Sequence, residues 1–415
     1  MRQPKVEGAL AAHARLKQVA LVTPFQYLAR FSEKLGASVF AKREDLQQVR
    51  SFKIRGAYNK FLTLTEEERS KGAVCASAGN HAQGFAYACR ALKVKGTVFM
   101  PVPTPGQKVD QVRMFGGAFV DIQLIGDTFD DSSKAAQQYQ KENNLVFIHP
   151  FDDVDVIEGQ ATIALEIIEQ APKPLDYLFV PVGGGGLISG ILTVFKSLSP
   201  STKIIGVEPA GAPSLRVSLD NKKNTRLKSI DKFVDGAAVQ RVGDLCFAVC
   251  ETHLDDCISV DEGRICQEIL ALYNTEGIVA EPAGAISLAA LDQYSDKLVG
   301  KQVGTLVCGG NNDITRTPEI HERALLYAQL KHYFIVRFPQ RAGALKEFVN
   351  DILGPQDDIT FFEYAKKNSR VDAPAVVGIQ LKNAADFEPL VARMKGHGFF
   401  GDYLNEKPDL FQYLI

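Results

Sequence analysis

The sequence predicts an α/β protein built on largely parallel sheets, followed by a smaller α+β domain of ferredoxin-like order. Three observations carry this. From residue 39 to about 307, short apolar or β-branched runs alternate with helix-periodic segments, the pattern of strands joined by crossover helices. Those runs are almost continuously apolar rather than alternating, as expected of strands buried on both faces. The end of the chain reads strand, helix, strand, strand, helix, strand instead.

Taken in order, residues 1–20 read as a helical lead-in, and Thr23-Pro24 marks a turn. Strands and helices then pair off: 73–76 with 81–92, 97–100 with 107–115, 119–124 with 131–142, and 145–148 with 157–170. A strand at 177–182 and a helix at 188–198 flank a run of glycines, and a strand at 204–207 follows. A connecting helix near 320–331 leads to strands at 332–339, 359–365, 375–381 and 399–404, with helices at 343–353 and 386–397. This places one part at 1–325, with two α/β subdomains, and a second at 331–415.

Composition narrows the function classes. The chain has 415 residues, 46% hydrophobic and 23% charged, with a net charge of −2. That balance suggests neither nucleic acid nor an anionic membrane surface as a partner. No apolar run reaches membrane-spanning length and no signal-peptide pattern opens the chain, so a cytoplasmic location is expected. The seven cysteines are an odd number, and Cys75, Cys89, Cys246 and Cys250 sit in apolar runs, as reduced buried thiols do. Cys246, Cys250, Cys257 and Cys266 lack the paired spacing of a zinc site.

In parallel sheets ligands collect beyond the carboxyl ends of the strands, so the loops after strands matter most. After the strand at 177–182 come Gly183, Gly184, Gly185, Gly186 and Leu187, opening a helix. Side-chain-free residues there let the backbone approach a ligand and aim several N–H groups at one anion, a phosphate above all. A flexible turn is the plainer alternative. The lysine and serine of a P-loop are missing, which argues against a nucleoside triphosphate. A dinucleotide fingerprint almost fits, with Ser189 in place of the third glycine and Glu208 where a ribose-binding acid would stand, so an NAD-dependent oxidoreductase stays open. Two further loops, Ser77-Ala78-Gly79-Asn80-His81 and Cys308-Gly309-Gly310-Asn311, also follow strands. Ser51-Phe52-Lys53-Ile54-Arg55-Gly56 begins a helix with a lysine beside an aromatic.

Together with Glu281-Pro282-Ala283-Gly284, these segments, in this order, resemble the biosynthetic threonine dehydratases (threonine ammonia-lyases). Those belong to the tryptophan-synthase-β-like, fold-type II, pyridoxal-phosphate enzymes. The likeness covers essentially the whole chain, and the terminal domain resembles the single ACT-like regulatory domain of the shorter forms. The resemblance implies pyridoxal 5'-phosphate as cofactor. Lys53 would bond covalently to its aldehyde and act as the base at the substrate α-carbon, with Phe52 packed by the ring. Gly183, Gly184, Gly185, Gly186 and Leu187 would hold the phosphate, Asn80 the ring hydroxyl, and Cys308 would face the ring nitrogen. Ser77, Ala78, Gly79, Asn80 and His81 would receive the substrate carboxylate. Alanine at 78, where serine racemases of the family carry a hydroxyl, favours elimination over racemisation.

The segment from Glu208 to Ser214 ends without the carboxylate of divalent-ion-binding relatives, so no metal residue is expected. Glu281 is expected near the pocket without an assigned role. The implied partners are L-threonine, with L-serine secondary, isoleucine or valine as effectors, and further copies of the chain in a homotetramer.

Overall fold

The computed structural model describes residues 2–364 and 372–407. The chain divides into two compact units, Met1–Ile314 and Thr315–Ile415.

The first unit contains two sheets. Ten strands run in order: β1 (Phe25–Tyr27), β2 (Ser38–Arg43), β3 (Ala73–Ala76), β4 (Gly96–Met100), β5 (Val120–Leu124), β6 (Val146–Phe147), β7 (Tyr177–Pro181), β8 (Lys203–Pro209), β9 (Asp256–Val260) and β10 (Gln302–Val307). Six form a sheet in the order β1-β2-β10-β7-β8-β9, parallel except for β1 at the edge. The other four form a wholly parallel sheet, β5-β4-β3-β6. Every residue of β3, β4 and β7 is buried, which is why these strands read as unbroken apolar runs.

Helix boundaries follow local chemistry. The helix Val154–Gln170 starts three residues before the expected 157, because the Asp153 carboxylate accepts from the N–H groups of Asp155 and Val156 at 2.8 and 3.1 Å. The helix Lys53–Thr63 is anchored by charge rather than by a cap. Arg55, fully buried, donates to both oxygens of Glu44 at 2.8 Å and to both of Glu166 at 2.6 and 2.9 Å. Lys42 completes the cluster, 2.6 Å from Glu166. Two cations thus face two carboxylates out of reach of water, the condition under which buried charge is tolerated.

In the second unit, strands β11 (Lys331–Pro339), β12 (Asp358–Tyr364), β13 (Asp372–Gln380) and β14 (Phe400–Tyr403) form an antiparallel sheet in the order β12-β13-β11-β14. With the helix Phe387–Gly396 and a split helix, Ala344–Glu347 then Phe348–Ile352, this is the ferredoxin-like arrangement. Its core is aromatic, with Phe334, Phe338, Phe348 and Phe399 all buried. The expected positions 365 and 408–415 lie outside the described residues.

Candidate active site

Sheet order brings the sequence-distant segments together. β2, β10 and β7 are neighbours and run the same way, so their carboxyl ends open on one edge. The chain leaving β2 leads to Ser51, Phe52 and Lys53; that leaving β10 leads to Cys308; that leaving β7 is the glycine loop. Backbone hydrogen bonds fasten the first two, from Phe52 N–H to the Cys308 carbonyl at 3.1 Å and from Gly310 N–H to the Arg50 carbonyl at 2.9 Å. Ser51 and Gly309 form an isolated β-bridge beside them.

The result is a recess of about 390 Å³ walled by Phe52, Lys53, the five residues from Gly183 to Leu187, and Cys308. Phe151, Pro181, Gly236, Ala237 and Ala283 complete the wall. The Lys53 amine donates to the Pro150 carbonyl at 2.7 Å and lies 5.3 Å from the centre of the Phe52 ring. Burial lowers its pKa from 10.5 to about 8, and Cys246, Cys308 and Glu281 oppose this only in part. A lysine so placed gives up its proton more readily than an exposed one, and becomes a neutral amine as pH rises through about 8.

Across the recess the glycine loop opens the helix Gly186–Leu198. Gly185 sits at φ +93°, a conformation other residues rarely adopt. A Cβ on Gly184 would fall 2.2 Å from the Phe151 ring, so the loop lies flat on that aromatic. The first N–H groups of the helix have no intrahelical acceptor and carry the positive end of its dipole. This is a place for a phosphate.

Asn80 begins the helix Asn80–Leu92, which follows β3 of the other sheet. It reaches the same neighbourhood through side chains. Its Nδ2 donates to Glu281 Oε1 at 2.6 Å, and its Oδ1 accepts from Asn311 Nδ2 at 2.7 Å. Glu281 is buried and its pKa rises to about 7, chiefly from burial and then from the nearby Asp235. The Cys308 thiol is also buried, donates to the Ala283 carbonyl at 3.3 Å, and is pushed well above its usual pKa by burial and by Glu281. It is therefore a neutral group.

Other sequence candidates are placed differently. Ser77, Ala78 and Gly79 are half-buried and do not wall the recess. The Ser77 hydroxyl accepts from Gly79 N–H at 3.2 Å. The buried His81 ring turns away to the Ile148 carbonyl, 3.0 Å from Nε2, and burial with the Lys53 charge lowers its pKa to about 3. Glu208 is fully buried and accepts the N–H groups of Leu215 and Arg216 at 2.7 and 2.8 Å. That commits it to the start of the next helix and removes it from the ribose position of a dinucleotide site.

Phe151, Gly236 and Ala237 were not singled out from sequence. Phe151 follows β6, so the rule of watching loops after strands would have found it; Gly236 and Ala237 carry no local signal. Asn311 belonged to a chosen motif, but nothing in the sequence pairs it with Asn80.

One more observation concerns what fills the site. Among the described residues, seven have buried side-chain polar atoms without a partner, and five of them, Ser51, His81, Gln83, Asn311 and Asn312, lie on the segments just described. Buried polar atoms are normally satisfied; the Ser51 and Asn311 oxygens, on the segments that join Lys53 to Cys308, leave room for a polar ligand, whereas the His81 and Gln83 side chains turn to the Ile148 carbonyl and to Gln111.

The family model described as "Pyridoxal-phosphate dependent enzyme" matches residues 16–309, and that described as "C-terminal regulatory domain of Threonine dehydratase" matches residues 322–414. The chain belongs to the threonine dehydratase family. It is 51% identical over 415 residues to an "L-threonine dehydratase biosynthetic IlvA" of Halalkalibacterium halodurans, covering 100% of both chains. Over 411 residues it is 52% identical to that of Bacillus subtilis, covering 99% of this chain and 97% of the relative. A solved structure, the processed form of threonine deaminase isoform 2 from Solanum lycopersicum, superposes with a TM-score of 0.74 at 38% identity, over 78% of this chain and 91% of that one. Maize serine racemase superposes at 0.72 with 31% identity, over 79% and 99%.

Pyridoxal phosphate is the cofactor of this family, and the site fits it. The flat glycine loop at a helix N-terminus suits a phosphate, a lysine of lowered pKa suits an aldehyde, and a neutral thiol with unpaired polar atoms suits a heteroaromatic ring.

Proposed function

We propose that the chain deaminates L-threonine to 2-oxobutanoate and ammonia, the entry step of isoleucine synthesis, using pyridoxal 5'-phosphate. The observation that carries this is Lys53, an amine with a pKa near 8 facing a phosphate cradle across one recess. When bound, the cofactor supplies an electron sink that makes the substrate α-proton removable.

The chain's own residues do the rest. Gly183, Gly184, Gly185, Gly186 and Leu187 hold the phosphate through backbone N–H groups. Phe52 would pack beside the ring, Asn80 would donate to its hydroxyl oxygen, and the neutral Cys308 would face its nitrogen. Lys53 Nζ would hold the aldehyde and, as a free amine, would take the substrate α-proton. The backbone of Ser77, Ala78, Gly79, Asn80 and His81 receives the carboxylate at a helix N-terminus. The β-hydroxyl departs as water, and hydrolysis of the released enamine takes up one water as it frees ammonia, so the overall change is threonine to 2-oxobutanoate and ammonia. Ala78 has no proton to offer the opposite face, which favours elimination over racemisation. L-Serine serves as a secondary substrate, because one missing methyl alters pocket binding by about 1–3 kcal/mol.

The regulatory part, within 331–415, binds isoleucine or valine and transmits their presence as a change in the balance of two conformations. The enzyme acts in the cytoplasm as a homotetramer.

The test is 2-oxo acid formation from L-threonine by purified protein without added nucleotide. Formation of 2-oxobutanoate with ammonia is expected, with isoleucine changing the rate. No product from protein that holds the cofactor would redirect the reading to another β-substituted amino acid, and protein without cofactor or product would overturn it.

A further inference from the structure

We propose that Asn311 is a positioning residue that fixes which way the Asn80 amide faces, and thereby makes Asn80 a donor to the cofactor. This rests on the reading of Asn80 given above.

The direction of both amides follows from one acceptor. A backbone carbonyl only accepts, and Asn311 Nδ2 lies 2.9 Å from the Val49 carbonyl. The nitrogen of Asn311 must therefore be on that side. The same nitrogen donates its other hydrogen to Asn80 Oδ1 at 2.7 Å. This leaves Asn80 Nδ2 on the opposite side, donating to Glu281 Oε1 at 2.6 Å. The ring of contacts closes because Glu281 also accepts the backbone N–H of Asn311.

Turning Asn80 over would set nitrogen against nitrogen at Asn311 and oxygen against a carboxyl oxygen at Glu281. The bond to Asn311 would become a repulsion, and the contact with Glu281 would survive only with a protonated carboxyl, in a place where water cannot relieve the mismatch: Glu281 is 6% exposed, and a Cβ on Gly309 would meet its Oε1 at 2.2 Å and Asn80 Nδ2 at 3.2 Å. Asn311 holds this orientation although its own Oδ1 is buried without a partner among the described residues. The second N–H of Asn80 Nδ2 likewise has no acceptor among them, so it is the group available to the cofactor. A donor there favours the ionised form of a phenolic oxygen, whereas a lone pair would demand the protonated form. Asn311 would set that choice through the Asn80 amide.

The experiment compares wild type, Asn311→Ala, Asn80→Ala and the double variant as holoenzymes. The readouts are the visible absorbance of bound cofactor and its dissociation constant, with far-UV circular dichroism confirming the fold. Asn311→Ala should shift the absorbance and weaken cofactor binding about tenfold, as loss of a group that orients a ligand contact does. The double variant should match Asn80→Ala within about twofold, because residues acting through one another do not add. Asn311→Ser, a smaller change that keeps a donor, should recover part of the loss and serves if the alanine variant does not fold.

Unchanged absorbance and affinity in the Asn311 variants, or losses that multiply in the double variant, overturn the proposal. If Asn80→Ala shifts the band and Asn311→Ala does not, this inference alone fails. If Asn80→Ala itself changes nothing, the reading of Asn80 fails and this one with it.

Discussion

Lys53 and Arg55 stand two residues apart on one helix, Arg55 buried and Lys53 half-buried on the wall of the recess, and their surroundings are opposite. Arg55 meets two carboxylates, each through two hydrogen bonds. Burial works against its charge, but Glu44 and Glu166 outweigh it and hold the guanidinium fully protonated. Glu44 shows the mirror effect: burial would raise its pKa, and Arg55 with Lys42 brings it below the usual carboxylate range. Among the described residues Lys53 has one carbonyl and no carboxylate within hydrogen-bond reach, so desolvation prevails and its pKa falls to about 8. Complete pairing makes a buried cation a fastener. Incomplete pairing leaves one able to lose its proton and form a bond.

Breaking each side should give different losses. Lys53→Ala removes the amine and the proton acceptor together and should lower threonine turnover by about a thousandfold or more, with loss of the visible band of bound cofactor. The fold should survive, since no carboxylate is orphaned; wild-type turnover in that variant would sink the assignment. Arg55→Ala leaves Glu44 and Glu166 buried without their main partner and should destabilise the first unit by about 3–5 kcal/mol, measured by denaturant unfolding. A loss below about 1 kcal/mol would mean that water or Lys42 compensates and that the network is not the fastener described.

The comparison sharpens with pH. Lys53 is an ammonium below about 8 and an amine above it, and only the amine attacks an aldehyde. In cofactor-free protein the rate of cofactor attachment should climb as pH rises through about 8 and level off above it. A climb centred near 10.5, the ordinary lysine value, would show that burial does not act on this group. The smallest effect is expected at a half-buried cap. Asp153→Ala frees two N–H groups at the start of Val154–Gln170 and should cost about 1 kcal/mol, with Asp153→Asn restoring most of it.

Much of this was legible in the chain. The alternation of apolar runs and helical segments announced parallel sheets, because strands covered on both faces need no polar side. The glycine loop was legible because four glycines between a strand and a helix have few other uses. The terminal ferredoxin-like order could be read from periodicity alone. The partners were not legible. Arg55 and Glu166 lie 111 residues apart, Asn80 and Asn311 lie 231 apart, and no local pattern encodes such pairings. Glu208 shows the converse. It stood where a ribose-binding acid would, but its carboxylate turns to two backbone N–H groups of the following helix.

The sequence by itself determined the elements, the glycine loop and the lysine beside an aromatic, since each depends on the chemistry of a few adjacent residues. The tertiary structure decided which strands became neighbours. Only because β2, β10 and β7 lie side by side and parallel do residues 51–53, 183–187 and 308–311 share one edge. Only there does desolvation of Lys53 outweigh the nearby Glu281 charge, and only there does Glu281 find Asn80. Protonation and amide direction depend on what surrounds a group in space.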